Sequence, residues 1–288
     1  MKYFSFTLLV LFMSFTCEAG ETLRKQCPPS FQKTVQNKCE LVSLYDFYAS
    51  PKEHGGFRVE LPKLKHSYTP QQIDLGKKLF FDPVLSKNQD MSCASCHQLE
   101  KGLADGLARS ISAKDKNGKH GKLNRGTPSL WNIAFHTRFM WDGRSNSLQT
   151  QAKLPLFSEI EMGNTPENLK ATLNGIPAYV DLFSQAYGEK PGVDNTAHAL
   201  AAFETSLISL NSRYDRYVHG DENALTEQES RGHNAFRGFV GRCSQCHMPP
   251  LFTDGELAVI GSPQPQDVPL DKGAGDWSND PFLLGAFR

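Results

Sequence analysis

The sequence predicts a mainly α-helical chain with long loops, arranged as two small units in tandem. Four stretches carry the apolar spacing of helices, and three of them are opened by capping residues. No segment sustains the alternation of a strand. One pentapeptide, Cys-x-x-Cys-His, stands twice, at Cys93–His97 and Cys243–His247, each behind an amphipathic stretch.

From the N-terminus, Met1-Lys2 is followed by an apolar run from Tyr3 to Phe15 and then by Cys17-Glu18-Ala19. A short positive end, an apolar centre and a small residue predict a signal peptide over 1–19, cut after Ala19. The run is too short to span a bilayer comfortably. Cys17 raises lipidation, but Ser14-Phe15-Thr16 is a poor match to the small, apolar segment that modification requires. Residues 20–60 form an N-terminal extension, and Pro, Gly and mixed charge dominate from Gly20 to about His66, where little regular structure is expected. Of seven cysteines, Cys17 falls in the signal and four belong to the pentapeptides. Cys27 and Cys39 remain, either joined as a disulfide in an oxidising compartment or left as free thiols.

Thr69-Pro70 opens the first helix, with Thr as N-cap and Pro at the first helical position. Ile73, Leu75, Leu79 and Phe80 form its apolar stripe, and Asp82-Pro83 ends it. Residues 102–126, rich in Gly, Lys and Asp, are read as loop. Thr165-Pro166 opens a second helix that ends near Asn174-Gly175. A third runs from Asp194 to Val218. Thr226 and Glu229 form a capping box for a fourth, running into Cys243. The tail 261–279 is read as loop.

The pentapeptides carry the chemistry. Two thiols at this spacing can add across the two vinyl groups of one porphyrin, and the adjacent His can then ligate the iron. Two Cys-x-x-Cys pairs could also make a four-thiolate zinc site, and one could be a redox dithiol. Neither alternative explains a His directly after both pairs. The fold expected is therefore two tandem cytochrome-c-like helical haem domains, 61–200 and 201–288, holding two covalently bound haem c groups. Haem brings apolar surface of its own, which suits a hydrophobic fraction of only 39%. Covalent attachment takes place outside the bacterial cytoplasmic membrane, so signal and motifs agree on the periplasm. With 31 basic and 31 acidic residues, no global charge points to nucleic acid or anionic lipid.

Around the first motif stand Ile73-Asp74-Leu75-Gly76, Leu79-Phe80-Phe81-Asp82-Pro83 and Ser92-Cys93-Ala94-Ser95-Cys96-His97. Downstream come Thr127-Pro128-Ser129-Leu130-Trp131-Asn132, Trp141-Asp142-Gly143-Arg144 and Glu161-Met162-Gly163. From about Leu61 onward this string resembles the bacterial di-haem cytochrome c peroxidase family. That family includes the di-haem oxidase that matures methylamine dehydrogenase. The resemblance implies a peroxidatic haem on Cys93, Cys96 and His97 and an electron-entry haem on Cys243, Cys246 and His247. It implies hydrogen peroxide as substrate and a small c-type cytochrome or cupredoxin as donor. It leaves room for a homodimer. Glu161 matches the family's distal acid/base, Gln151 a glutamine that orients peroxide, and Trp141 an indole between the haems. Asp142 and Arg144 are expected to pair around a turn or at a haem propionate.

His120 is the nearest downstream residue that could be a removable sixth ligand, but the aligned position looks like Ala113. Without such a ligand the first haem would be active with no reductive priming. His136, His198, His219 and His233 have no motif support. The family's calcium ion uses an Asn after an Arg, and here Arg125 is followed by Gly126, so that ligand is lost. In the family, the segment that follows Gly285-Ala286-Phe287-Arg288 supplies the second haem's distal Met or Tyr. Relative to it the unit 201–288 reads as incomplete, and Met248, directly after His247, cannot reach the opposite face of the same haem. The rival readings are a protein-maturation oxidase, and a non-enzymatic electron-transfer cytochrome or inactive paralogue.

Overall fold

The computed structural model describes residues 20–48, 60–115, 117–261, 263–264 and 266–288. The signal-peptide reading of 1–19, with Cys17, lies outside them. Strands β1 (Phe31–Lys33) and β2 (Cys39–Leu41) pair antiparallel, with Phe31 opposite Leu41, and α1 (Leu44–Tyr48) follows. Then come α2 (Pro70–Phe81), the single turn α3 (Cys93–Cys96), and a hairpin of β3 (Ile111–Lys114) and β4 (His120–Lys122). Helices α4 (Leu148–Phe157), α5 (Pro166–Asn174), α6 (Pro177–Tyr187) and α7 (Val193–Thr205) complete the first half. Helices α8 (Arg213–Val218) and α9 (Glu227–Arg237) lead to the second pentapeptide. The fold is mainly α.

The expected caps hold. Thr69 accepts from the Gln72 N–H while the Gln72 side chain accepts from the Thr69 N–H, at 3.2 and 3.0 Å. Thr165 caps α5, and Thr226 with Glu229 caps α9. The cap satisfies donors that the first turn cannot pair, so helix starts are legible locally. A disulfide joins Cys27 to Cys39. The Cys39 N–H also donates to Tyr68 O at 2.8 Å, which fastens the extension to the segment entering α2.

Four expectations need correction. Residues 20–66 carry a hairpin and α1, and the presumed loop 102–126 carries β3 and β4; strands this short show no periodicity. The helix expected over 194–218 is two helices. Leu207 O and the Ser209 N–H are held by Asn132 at 2.9 Å each, and Ser212 starts α8 with its own capping box. Helix α9 ends at Arg237, short of Cys243, with Gly238 extended behind it. Helix α7 runs through residue 200 to Thr205 and packs on α2.

The α2–α7 crossing organises the core. Leu75, Leu79 and Phe80 are fully buried, against Leu200 and Phe203 of α7 and Phe183 of α6. Each such side chain contributes about 1.5–3 kcal/mol relative to exposure. The crossing is close because position 76 has no side chain: a Cβ there would lie 1.8 Å from Ala199 O. Gly76→Ala is therefore expected to destabilise the fold by about 3 kcal/mol or more, since the helices must separate. Urea melts check this; an unchanged midpoint would contradict the crossing.

Candidate active site

Helix α2 ends at Asp82-Pro83, and the chain returns along its side to form α3. The His97 N–H donates to Cys93 O at 2.9 Å, so the His follows directly off the turn that carries both thiols. His97 Nδ1 lies 2.8 Å from Leu103 O. A carbonyl can only accept, so Nδ1 is the protonated nitrogen and Nε2 the one with a lone pair for a metal. Burial lowers the His97 pKa, opposed by the carbonyls of Leu103 and Pro128, and keeps the ring in its neutral, ligating form. The second motif repeats the device: His247 Nδ1 lies 3.0 Å from Phe252 O. Leu103 and Phe252 both have positive φ, 59° and 57°, which turns each carbonyl back toward its histidine. No residue type announces this, so sequence reasoning missed it.

Beside α3 lies a cavity of about 640 Å³, within the range of ligand pockets. It gathers Cys93, Cys96, His97, Trp141, Gln151 and Glu161. Glu161 is aimed by a turn after α4: its N–H donates to Ser158 O at 3.0 Å, and the next N–H, of Met162, donates to Pro155 O at 3.1 Å. The buried Met162 side chain anchors that turn. The β3–β4 hairpin braces it, with the Ala113 N–H donating to Ile160 O at 2.9 Å. Burial raises the Glu161 pKa, while a Ser158 hydrogen bond and the Arg144 charge oppose the rise. Gln151, on α4, donates from Nε2 to Met140 Sδ at 3.5 Å. Trp141 donates from Nε1 to Gly126 O at 2.7 Å, and its own carbonyl accepts the Arg288 N–H at 2.8 Å.

Cys243, Cys246 and His247 are not part of this cavity. The two cysteines are exposed, and His247 sits beside Phe236, which packs on Phe252 and through it on Tyr214. His120 is exposed on β4, with Nδ1 on Ser112 O at 2.8 Å, and does not line the cavity. Among the other unassigned histidines, His219 is buried and stacked on Tyr48, and His198 bonds Tyr187 at 2.8 Å.

The residues present fit haem. Both thiols of the first motif stand unpaired at the cavity beside a neutral, oriented imidazole. Burial, with Glu204 adding to it, pushes the Cys93 thiol up to about 12. Among the described residues, no group of three or more His, Cys, Asp or Glu side chains is placed to hold a metal ion, so the two cysteine pairs do not form one four-thiolate site.

An ion cluster that the sequence did not reveal closes the far wall. Asp142 and Arg144 pair as expected, at 2.6 Å. Arg125 also reaches Asp142, at 2.7 Å, and clasps Asp271 through two bonds of 2.6 and 2.7 Å. Asp271 is 146 residues away in sequence, so no local pattern could have paired them. In this wall Gly126 offers no side-chain ligand to the family's calcium ion. A Cβ at Gly126 would lie 2.5 Å from Leu107 O, which leaves no room for an Asn there. Arg125→Gln leaves the largely buried Asp271 without its cation and Asp142 with Arg144 alone, and is expected to cost about 3 kcal/mol, whereas a calcium chelator is expected to leave the thermal midpoint unchanged. Melts with and without chelator check both arms.

A family model described as "Di-haem cytochrome c peroxidase" matches residues 70–223, which include the first motif and the whole distal turn. This chain belongs to the di-haem cytochrome c peroxidase family. The methylamine utilization protein MauG of Methylorubrum extorquens is 39% identical over 195 residues, 67% of this chain and 54% of that protein. The cytochrome c551 peroxidase of Pseudomonas aeruginosa is 40% identical over 182 residues, 62% of this chain and 50% of that protein. The chain thus spans about half the length of these family members. Among solved structures, the diheme peroxidase BthA from Burkholderia thailandensis superposes with a TM-score of 0.66 at 26% identity, over 77% of this chain and 65% of that one. A MauG-like protein associated with microbial copper homeostasis gives 0.65 at 28%, over 83% and 72%. Membership of this family implies two haem c groups.

Proposed function

We infer that this protein is a di-haem peroxidase that reduces hydrogen peroxide to water with two electrons from a small redox protein, a c-type cytochrome or a cupredoxin. The observation that carries the reading is a partly buried carboxyl, Glu161, in the same cavity as Cys93, Cys96 and His97. When bound, haem supplies the iron that receives peroxide oxygen and passes on the electrons. Glu161 takes the proton from the inner peroxide oxygen and returns it to the outer one, which leaves as water. Burial suits it to both tasks, because a raised pKa makes the carboxylate a stronger base and brings the group nearer the operating pH, where the proton it takes can also be given back. Gln151 offers an amide to orient peroxide. Trp141, tied to Gly126 O and to the Arg288 N–H, stands where the 267–288 segment meets the cavity, which supports its role as the bridge from the second haem.

In this reading, Cys243, Cys246 and His247 hold the haem that receives electrons. Two haem units follow, divided after Thr205. The outward place of His120 supports a first haem that works without reductive priming. The pattern of 1–19 and the Cys27–Cys39 disulfide support a periplasmic location. Among the described residues, no helix is long and apolar enough to cross a membrane.

The test is donor oxidation. Holoprotein, as isolated and after reduction, is mixed with peroxide and a reduced small cytochrome c. Oxidation of the donor in both states is expected, and none in either state with both haems loaded would overturn the reading. The 39% identity to MauG favours one second reading, a protein-maturation oxidase. It predicts peroxide consumption with no turnover of the cytochrome.

A further inference from the structure

One acidic side chain in the cavity has no part in the chemistry above. Glu204, in the last turn of α7, is 6% exposed and lines the cavity one helical turn after Leu200. Its Oε2 is buried without a hydrogen-bond partner. Burying a carboxyl alone is costly, and evolution ordinarily offers such a group a cation or a donor. The groups facing it offer neither. Cys93 faces it from α3 and Tyr68 from the segment entering α2, and the Tyr68 hydroxyl is engaged by Thr205. Across the cavity the cations Arg125 and Arg144 are committed to Asp142 and Asp271, Arg288 donates to Arg138 O, and the other acids are Asp276 and Glu161, the latter with the Ser158 hydrogen bond. His97 is neutral.

What the pocket does offer is a charge that changes. The iron that His97 would ligate carries one more positive charge when oxidised than when reduced. We propose that Glu204 is the proton-exchanging carboxyl of the first haem site, losing a proton to solvent when the iron is ferric and taking one up as an electron enters. The step balances: one electron comes from the donor and one proton from solvent, and the proton binds a Glu204 carboxylate oxygen. No bond to iron forms or breaks. Burial alone holds the carboxyl at about 8, so a nearby charge moves it across the neutral range. The proton so loaded lies in the cavity where peroxide reduction consumes protons. The proposal rests on haem occupying this cavity, and not on peroxide being the substrate.

Spectroelectrochemical titration of the first haem in the holoprotein, across roughly pH 6 to 9 where Glu204 would exchange, tests it. In the wild type the midpoint potential is expected to fall with pH, with a slope approaching 59 mV per pH unit, the tenfold equivalent for one electron. Glu204→Gln is expected to flatten that slope, and Glu161→Gln to retain the greater part of it. An unflattened slope in the Glu204→Gln protein would overturn the proposal, as would a flat wild type. Haem absorbance shows separately whether the site is loaded. Should the Gln variant fail to load, reduced-minus-oxidised infrared spectra of the Glu161→Gln holoprotein decide. A protonated-carboxyl carbonyl band that grows on reduction and shifts in D₂O supports the assignment, and its absence refutes it.

Discussion

Replacing Cys93 and Cys96 together by Ala is expected to leave one covalent haem per chain in place of two and to reduce donor oxidation by peroxide to background. The loss is on the order of 10⁶-fold, the low end of enzymatic acceleration. The reason is positional. Both thiols and His97 leave one turn, α3, that opens directly on the cavity holding Glu161 and Gln151. The Cys243 and Cys246 pair is exposed and outside that cavity, so the remaining haem cannot take over the chemistry. A haem stain of the denatured chain counts the groups, because thioether-bound haem survives denaturation. A double variant that still turned over peroxide at the wild-type rate would place the chemistry elsewhere.

Glu161→Gln is expected to keep both haems and to lower turnover by about 10²–10⁴-fold, the usual worth of a general acid/base. The amide matches the carboxylate in shape but neither takes nor gives the proton. The pH profile separates this role from a structural one. Burial raises the Glu161 pKa above its ordinary value, so its carboxylate, the proton-accepting form, prevails above the raised value and is lost as pH falls through it. The wild-type rate should carry an acid limb at that pH, and the variant should lack it. The stability effect has the opposite sign. A carboxyl with a raised folded pKa stabilises the fold fully below the unfolded value, and that contribution is lost as pH rises through the folded one. Steady-state rates across the acid range check the first statement, and melts across the same range the second. An acid limb that persisted in the Gln variant would assign it to another group.

The parts of the fold that were legible are those set by neighbours in sequence. Thr69-Pro70 and Thr165-Pro166 mark helix starts because a cap acts over three residues. The pentapeptides are legible because thioether attachment demands that spacing. The hairpins at 31–41 and 111–122 were not legible, since three or four residues cannot display a period. The break after Thr205 was not legible because Asn132, far upstream, makes it. At the site, Glu161, Gln151 and Trp141 were reached through resemblance and converge on one cavity. Arg125 and Glu204 were missed, the first because its partner Asp271 comes from the far end of the chain. A lone Glu in the apolar α7 reads as any helical glutamate until its burial is seen.

The most direct measurement uses the mirror variant, with Cys243 and Cys246 replaced by Ala, so that only the first haem is carried. Stopped-flow absorbance after mixing with peroxide should show the first haem reacting at close to the wild-type rate, while steady oxidation of a cytochrome donor is lost. No spectral change in this variant, together with a rapid one in the Cys93→Ala, Cys96→Ala protein, would contradict the placement of the reacting site at His97 and Glu161.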